Sequence, residues 1–422
     1  MLLGCIADDL TGATDLALML TRAGMRTLQI MDVPGPATPL EGYDAVVVAL
    51  KTRTCPVEEA VRLSLASADA LLARGARQLF FKYCSTFDST DRGNIGPVAD
   101  ALLERVGGDL AIACPAFPTN KRTVYLGNLF VGEVPLAESP MKDHPLTPMR
   151  DSSLVRVLQR QTRGKVGLVP FSVVEKGPRA IADAFSAARS RGERYVIVDA
   201  ITDKHLVDMG AAAAKMALIT GGSGVALGLP ANFIAAGLMT SKSAPTTMKA
   251  PAGRALIVAG SCSEATRGQV KAAKAAGIPA FEVDPLGLHE GRTMCADIVR
   301  WAKSQPADRP VLVYSSADPA SVKSVQEKLG REAAGALVER ELATVARALV
   351  GDGFSRIVVA GGETSGAVVN GLGVTALEIG PEIDPGVPWT TSRGSSVPLA
   401  LALKSGNFGG PEFFTSAWAK LS

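Results

Sequence analysis

The sequence predicts an α/β fold with two domains, each a mainly parallel sheet flanked by helices. Short apolar runs alternate with amphipathic runs along the 422 residues, which is typical of successive βαβ units. The chain is also longer than one hydrophobic core usually organises. Residues 240–254 are rich in Ser, Thr, Pro and Lys and lack periodicity, which indicates a linker. The predicted domains are therefore residues 1–239 and 255–422.

The first domain opens with an apolar strand and an amphipathic helix. Apolar residues follow Ala13 at spacings of three, four and seven, which is a helical face, and Gly24 is a suitable stop. A second helix is predicted to begin near Pro56, which suits the first helical position. Residues 115–150 interrupt the rhythm, and a loop this long is usually functional or disordered. The predicted strands are residues 2–7, 27–31, 44–50, 77–82, 109–114 and 194–199.

The second domain repeats this alternation without a repeat of the sequence itself. We also predict that the glycine-rich stretch "GGSGVALG", which begins at Gly221, precedes a strand rather than following one. It is therefore not interpreted as a dinucleotide fingerprint. The predicted strands of this domain are residues 255–259, 279–283, 310–314, 356–360 and 397–403.

Composition and charge exclude several classes of protein. Hydrophobic residues make up 47% and charged residues 20% of the chain, as in ordinary globular proteins. A net charge of +3 without a basic block argues against nucleic acid as a partner. No apolar run is long enough for a membrane span, and the first residues lack an export signature. The cysteines are widely spaced, which predicts free thiols in a reducing cytoplasm and no zinc site: Cys5, Cys55, Cys84, Cys114, Cys262 and Cys295.

Three carboxylates surround the turn between the first strand and the first helix. Asp8 and Asp9 end the strand in "GCIADDLTGATD", and Asp15 follows inside the helix. One aspartate at this point is explained by capping of the helix N-terminus. The second is surplus to capping, so we weigh a chemical role for Asp8 or Asp9 against capping alone. Asp15 lies one to two turns into the helix and is expected to be structural.

Two further loops reach the same edge of the predicted sheet. Ligands of parallel sheets collect at the carboxyl ends of strands. "LKTRTC" places Lys51 and Arg53 there. The two are either solvated basic residues, or the Arg53 guanidinium binds a substrate carboxylate through two parallel hydrogen bonds. "KYCSTFDST", which begins at Lys82, adds hydroxyl groups that either bond their own turn or form a polar floor. Together the loops suit a small, anionic, hydroxylated ligand.

Glycine turns follow three predicted strands of the second domain. They are "GSCS" from Gly260, "AGGETSG" with Gly361 and Gly362, and "KSGNFGG" with Gly406. One such turn only reflects the need for a left-handed residue, whereas three at successive strand ends indicate a phosphate site. The chain has no GxxxxGK[ST] motif, so the site is not a P-loop.

These motifs, with "GNIGPV", "CPAFPTN" and "IVDAITD", resemble the four-carbon acid sugar kinase family in its own order from Ala7 to Gly409. The resemblance implies an acid-sugar-binding N-terminal domain, a nucleotide-binding C-terminal domain, ATP and Mg²⁺. "KYCSTFDST" resembles the branch of 3-oxo-tetronate 4-kinases. Two departures from the family pattern, Lys121 and Asn128, lie in the long loop.

The resemblance also implies which residues bind each substrate. The acid sugar would be bound by Asp9, Arg53 and the segment of Lys82, Tyr83, Cys84 and Ser85. ATP would be bound by residues of the three glycine turns, namely Ser261, Gly361, Gly362, Glu363, Thr364 and Gly406. Asp9 or Asp8 would orient or deprotonate the C4 hydroxyl for attack on the γ-phosphate.

Two other functions stay open at this point. One is a D-threonate or D-erythronate 4-kinase of the same family, and the other is a non-catalytic sensor of acid sugars. A substrate panel distinguishes the kinases, and ATP turnover excludes the sensor. The expected partners are a small acid sugar and ATP, with no nucleic acid and no membrane; a homo-oligomer is left open.

Overall fold

Two separate α/β units make up the chain, which confirms the predicted fold class. The computed structural model describes residues 1–144, 146–240, 243–315, 327–328 and 330–422. Contacts divide these residues into Met1–Ala244 and Pro245–Ser422. The division lies within the predicted linker 240–254, of which residues 241 and 242 are outside the described residues. In the described part of the chain, no helix is long and apolar enough to cross a membrane.

The first unit is built on a parallel sheet of eight strands. The strands of the whole unit, including three that form a separate small sheet (β6, β7 and β8), are β1 (Leu3–Ala7), β2 (Thr27–Met31), β3 (Ala45–Ala49), β4 (Gln78–Lys82), β5 (Ala111–Cys114), β6 (Arg122–Tyr125), β7 (Asn128–Val131), β8 (Val134–Pro135), β9 (Lys165–Val169), β10 (Glu193–Val198) and β11 (Leu218–Gly221). The eight-stranded order is β2-β3-β1-β4-β11-β5-β10-β9, with every neighbouring pair parallel.

Among the described residues, eight α-helices accompany this sheet. They are α1 (Leu10–Arg22), α2 (Val57–Ala73), α3 (Ile95–Arg105), α4 (Leu154–Gln161), α5 (Phe171–Val174), α6 (Pro178–Ser190), α7 (Asp203–Ala212) and α8 (Pro230–Ala235). The central strands β1, β3 and β4 are buried along their whole length, as expected of strands covered on both faces. Each fully buried Val or Ile side chain there contributes about 1.5–3 kcal/mol.

The interruption at residues 115–150 is an ordered antiparallel sheet. Strands β6, β7 and β8 pair in sequence. The turn between β6 and β7 has positive φ at both Leu126 and Gly127, which matches the twist of a tight hairpin. Asp199, after β10, accepts hydrogen bonds from both turn amides at 2.7 and 2.9 Å. A buried carboxylate distant in sequence therefore secures a segment that sequence periodicity predicted only as a loop.

The prediction that "GGSGVALG" precedes a strand rather than following one was wrong. The stretch follows strand β11 and forms a 3-10 helix, Ser223–Gly228. A Cβ atom on Gly228 would lie 2.7 Å from the Leu206 carbonyl oxygen, and one on Gly224 would lie 2.7 Å from the Ala116 carbonyl oxygen. These glycines permit close packing of backbone on backbone. That requirement explains the glycine content without any ligand.

The second unit contains a mixed sheet of seven strands. They are β12 (Arg254–Ala259), β13 (Ala280–Glu282), β14 (Val311–Tyr314), β15 (Phe354–Ala360), β16 (Ala376–Asp384), β17 (Val387–Arg393) and β18 (Ala400–Lys404). Their order is β13-β14-β12-β15-β18-β17-β16. The first five in this order are parallel, and β17 pairs antiparallel with both neighbours. The described helices are α9 (Glu264–Ala275), α10 (Pro285–His289), α11 (Cys295–Ser304), α12 (Arg331–Gly351), α13 (Gly362–Gly371) and α14 (Phe413–Ser416).

Candidate active site

Strand register brings the three polar loops of the first unit to one edge. Ala7 at the end of β1 pairs with Ala49 of β3 and with Lys82 of β4. The pairing continues beyond the strands, because the Asp8 amide donates to the Lys82 carbonyl at 3.1 Å and the Arg53 amide to the Asp8 carbonyl at 3.2 Å. The loops that follow β1, β3 and β4 therefore begin side by side.

Arg53 is the centre of the resulting charged cluster. Its Nε donates to Asp8 Oδ2 at 3.0 Å, and its Nη2 donates to Asp8 Oδ1 at 2.8 Å and to Asp9 Oδ1 at 2.7 Å. Its Nη1 lies 3.7 Å from Asp88 Oδ2. The guanidinium fork that was predicted for a substrate carboxylate thus binds Asp8 in this structure. A direct contact of Arg53 with substrate stays a prediction.

Asp8 and Asp9 differ in exposure and in acidity. The Asp8 side chain is 7% exposed and that of Asp9 is 26% exposed. Burial raises the pKa of Asp8, even though Arg53 opposes the shift. Burial also acts on Asp9, but Arg53, Lys82 and the Thr11 hydroxyl outweigh it and lower its pKa to about 2. Asp9 is therefore the ionised carboxylate that a ligand can reach, while Asp8 fixes Arg53 from behind.

Capping does not account for Asp9. It occupies the N-cap position of α1, with an extended backbone, but its side chain makes no capping hydrogen bond. The Gly12 amide is near enough to lower the pKa of Asp9 slightly further without reaching hydrogen-bond geometry. Oδ2 instead accepts from the Thr11 hydroxyl at 2.9 Å. Asp15, as expected, is buried within α1.

Lys82 and Gly12 complete the surroundings of Asp9. Lys82 is 3% exposed and ends strand β4. A Cβ atom on Gly12 would lie 2.2 Å from Asp9 Oδ1 and 2.7 Å from Lys82 Nζ. The absence of a side chain at Gly12 is thus what lets the carboxylate and the ammonium group share the first turn of α1. Sequence reasoning missed Gly12, although a glycine in a first helical turn is itself an unusual choice.

The loop after β4 divides into core and site residues. The Tyr83 side chain is fully buried, packs against Phe81 and Phe87, and hydrogen bonds Thr220 at 3.0 Å. We therefore correct the prediction for Tyr83: its side chain belongs to the core. Cys84 and Ser85 are partly exposed, and their substrate contacts stay predictions.

Asp88 and Asn94 are two further residues of the site; the sequence analysis placed Asp88 only within the polar loop after Lys82 and did not single out Asn94. Asp88 accepts from the Thr86 hydroxyl at 2.6 Å and lies beside Arg53. The Asn94 amide nitrogen donates to the carbonyls of Thr52 and Cys55 at 2.7 and 2.9 Å. It thereby ties the start of α3 to the Arg53 loop, and a small cavity lies between them. The motifs "FDST" and "GNIG" contained both residues, but only the fold reveals these long-range partners.

The glycine turns of the second unit also meet at one edge. Ala360 at the end of β15 pairs with Ala259 of β12 and with Lys404 of β18. The turns that begin at Gly260, Gly361 and Ser405 therefore follow three adjacent parallel strands. This arrangement places main-chain amides and two helix starts together, which suits a phosphate group.

The glycines of these turns are required by close contacts. Gly361 has φ of 127°, and a Cβ atom on it would lie 2.9 Å from Thr364 Oγ1. A Cβ atom on Gly406 would lie 2.2 Å from Ser261 Oγ. Any larger residue at either position would push the turns apart. The predicted nucleotide residues therefore pack against one another.

Exposure separates the remaining predicted nucleotide residues. Gly362 and Glu363 are exposed at the start of α13, whereas Thr364 is buried. Sequence reasoning missed Lys404, which immediately precedes the third turn, although a lysine at the end of the apolar strand "LALK" was a visible signal. The nucleotide-binding roles of these residues stay predictions.

Comparisons with known proteins agree with this geometry. A family model described as a sugar-binding N-terminal domain matches residues 3–229. A second, described as a nucleotide-binding C-terminal domain, matches residues 256–414. The chain is 54% identical to a 3-oxo-tetronate kinase of Cupriavidus necator, over 100% of this chain and 97% of that protein. It is 53% identical to one of Burkholderia multivorans, over 99% and 96%.

Solved structures share the architecture. A crystal structure from Salmonella typhimurium LT2, described as that of a tRNA synthase, is 41% identical with a TM-score of 0.90, over 100% of this chain and 99% of that one. The crystal structure of Haemophilus influenzae protein HI1011 is 38% identical with a TM-score of 0.81, over 99% and 100%. The chain therefore belongs to the four-carbon acid sugar kinase family, which confirms the resemblance of its motifs.

Proposed function

We propose that this protein is an ATP-dependent kinase that phosphorylates the C4 hydroxyl of a four-carbon 3-oxo acid sugar, a 3-oxo-tetronate. The 3-oxo-tetronate kinases of Cupriavidus necator and Burkholderia multivorans, more than half identical over nearly the full chain, support it. The structural observation that carries the proposal is the Asp9 carboxylate. It is ionised, partly exposed and held at a strand edge by two cations.

In this proposal Asp9 receives the hydrogen bond of the reacting hydroxyl. A carboxylate with a pKa of about 2 is a weak base but a dependable acceptor at neutral pH. Phosphoryl transfer demands little base strength, because its transition state is loose and relies mainly on positioning. Asp8 holds Arg53, and Arg53 with Lys82 holds Asp9. Their contribution is therefore orientation of the hydroxyl toward the γ-phosphate.

The cluster also suggests how the acid sugar is oriented. Asp8, Asp9 and Asp88 supply three carboxylates against the cations of Arg53 and Lys82. An uncharged hydroxyl end fits beside this excess of negative charge better than the substrate carboxylate does. If Arg53 also touches the substrate carboxylate, it does so through Nη1, the nitrogen farthest from Asp8 and Asp9.

ATP and Mg²⁺ belong to the second unit in this proposal. Ser261, Gly406 and the turn Gly361, Gly362, Glu363 and Thr364 would bind the phosphates through amides and hydroxyls. Mg²⁺ in kinases is held largely by phosphates and few protein ligands. This fits a unit in which the described residues contain no cluster of three metal-ligating side chains. When bound, the ion would neutralise charge that develops on the transferred phosphoryl group.

We assign residues 1–239 as the acid-sugar-binding domain, 240–254 as the linker and 255–422 as the nucleotide-binding domain. The matches at residues 3–229 and 256–414 support this assignment. We further propose a cytoplasmic protein, in which the six free cysteines stay reduced.

A coupled assay of ADP release tests the proposal. Purified protein would be given MgATP with 3-oxo-tetronates, D-threonate and D-erythronate, and with a 4-deoxy acid as the control that lacks the acceptor. We expect turnover with a 3-oxo acid and none with the 4-deoxy acid. Preference for threonate or erythronate would reassign the substrate, and no ADP release with any acid would overturn the kinase.

A further inference from the structure

Lys404 is a buried lysine that has no carboxylate partner among the described residues. It ends strand β18 and is 0% exposed. Its Nζ donates to Thr266 Oγ1, to the Ser405 carbonyl and to the Gly406 carbonyl, each at 3.1 Å. All three acceptors are neutral, and no carboxylate of the described residues forms an ion pair with it. Buried charges are ordinarily paired, so an anion bound near Lys404 would stabilise its charged form.

The surroundings of Lys404 add further positive potential. Ser263 caps the start of α9, and its hydroxyl donates to the same Gly406 carbonyl at 2.6 Å. Thr266 donates to that carbonyl at 2.8 Å. Helix α13 starts at Gly362, after the neighbouring strand β15. Two helix N-termini with partial positive charge therefore begin on the strand ends beside the buried ammonium group.

We propose that Lys404 is a positioning residue of the nucleotide site, whose ammonium charge is balanced by the phosphate chain of the bound nucleotide. This inference rests on the proposed function, because it takes ATP as the anion that balances the charge of Lys404. Lys404 holds the Gly406 carbonyl and thereby the third glycine turn. The phosphates in return stabilise the charged form of Lys404, so that binding draws one proton from solvent onto Nζ.

The acidity of Lys404 supports this linkage. Burial lowers its pKa to about 7, and a nearby phosphate would raise it again. The charged residues on the adjoining elements are Glu264, Arg267, Lys271 and Lys274 of α9, Glu363 of α13, Arg356 of β15 and Arg393 of β17. Asp384 of β16 binds the Gly410 amide. None of them contacts Lys404 Nζ in the described residues. With that pKa, Lys404 of the free protein is mainly the neutral amine at pH 8, which has two N–H donors for its three acceptors, and the charged form has three.

Proton uptake by the wild-type protein tests the linkage directly. The titration is carried out by calorimetry with MgATP at pH 8, in Hepes and in Tris. Because the two buffers have different heats of ionisation, the difference between the observed heats gives the number of protons taken up on binding. A group with a pKa of about 7 predicts uptake of roughly nine-tenths of a proton at pH 8 and one-tenth at pH 6. Above pH 7 the dissociation constant should rise, toward tenfold per pH unit. Binding without proton uptake at pH 8 would overturn the inference.

Variants assign the proton to Lys404. In Lys404→Met we expect a dissociation constant for ATP that is about 10- to 100-fold higher, because the charge-assisted hydrogen bonds that hold the Ser405 and Gly406 carbonyls are lost, and we expect no proton uptake. Lys404→Arg retains a charge that does not titrate, and should bind ATP without proton uptake. Lys420→Met, at an exposed lysine of the same unit, is the matched control and should behave as wild type.

Stability separates this role from a merely structural one. A buried cation destabilises the unliganded fold, so Lys404→Met should not lower the melting temperature at pH 7. A lower melting temperature with normal ATP affinity would overturn the inference. If the variants fail to fold, the wild-type pH series decides. Absence of ATP binding by the wild-type protein would instead overturn the proposed function, and this inference with it.

Discussion

Replacement of Asp9 by Asn is the most informative test of the first unit. The change keeps the shape of the side chain and its ability to cap a helix, and it removes the negative charge. The single oxygen of Asn can replace Asp9 Oδ1 as the acceptor of Arg53 Nη2, now at 2.7 Å, and the Asn amide nitrogen in place of Oδ2 can donate to the Thr11 hydroxyl, now at 2.9 Å. Arg53 also keeps both hydrogen bonds to Asp8. The local structure should therefore survive.

The magnitude of the stability change follows from the pKa of Asp9. A shift from 3.8 to about 2 corresponds to about 2 kcal/mol. Because the folded pKa is lowered, this contribution is complete above the unfolded pKa and is lost as pH falls through about 2. At pH 7 the variant should lose up to this amount, or roughly 4–8 °C in melting temperature. The loss is an upper value, because Asp8 is relieved of a like charge.

The catalytic effect should be larger than the effect on stability. Loss of a charged acceptor for the reacting hydroxyl costs about 1.5–3 kcal/mol, and positioned acid–base groups contribute about 10²–10⁴-fold. A carboxylate with a pKa of about 2 acts mainly by orientation, so we expect kcat to fall by about 10²-fold. The coupled ADP assay at saturating substrates measures it, and ATP affinity should stay unchanged.

Asp8→Asn is the matched control. Asp8 accepts two hydrogen bonds from Arg53 and is more buried than Asp9. Asn offers only one oxygen to that fork, so the variant should lose about 1.5–3 kcal/mol of stability. Asp9→Asn should therefore mainly lower kcat, and Asp8→Asn should mainly lower the melting temperature. A folded Asp8→Asn protein with the larger loss of kcat, beside a nearly active Asp9→Asn protein, would refute the assignment.

Three further predictions concern residues around these sites. Arg53→Lys keeps one charge but cannot bridge Asp8 and Asp9, so KM for the acid sugar should rise with ATP affinity unchanged; an unaltered KM in steady-state kinetics would count against Arg53. Gly12→Ala places a methyl group 2.2 Å from Asp9 Oδ1, and kcat/KM should fall by about 10- to 100-fold, whereas retention of full activity would show that the carboxylate can move without cost. Gly362→Val, at an exposed turn, should weaken ATP binding in calorimetry while the first unit keeps its melting temperature; normal binding would remove this turn from the nucleotide site.

Much of the fold follows from local pattern. The strand at residues 27–31 was predicted at its observed bounds, and strand β1 within one residue, because buried parallel strands are short continuous apolar runs. Strand-end topology then selected the loops of Asp9, Arg53 and Lys82 without any structure. Strands β16 and β17 were missed, since polar residues such as Glu378 interrupt their apolar pattern.

Only the tertiary structure decided which role each of these residues has. The sequence could not tell Asp8 from Asp9, because their difference arises from burial and from the direction of the Arg53 fork. It could not reveal that Tyr83 faces the core, or that Lys404 has no carboxylate partner in the part of the chain that the structure describes. The order of the strands along the chain does not determine which side chains come into contact at the carboxyl edge of the sheet. Sequence pattern therefore determined the loops and their chemistry, and packing determined the charge state and partner of each group.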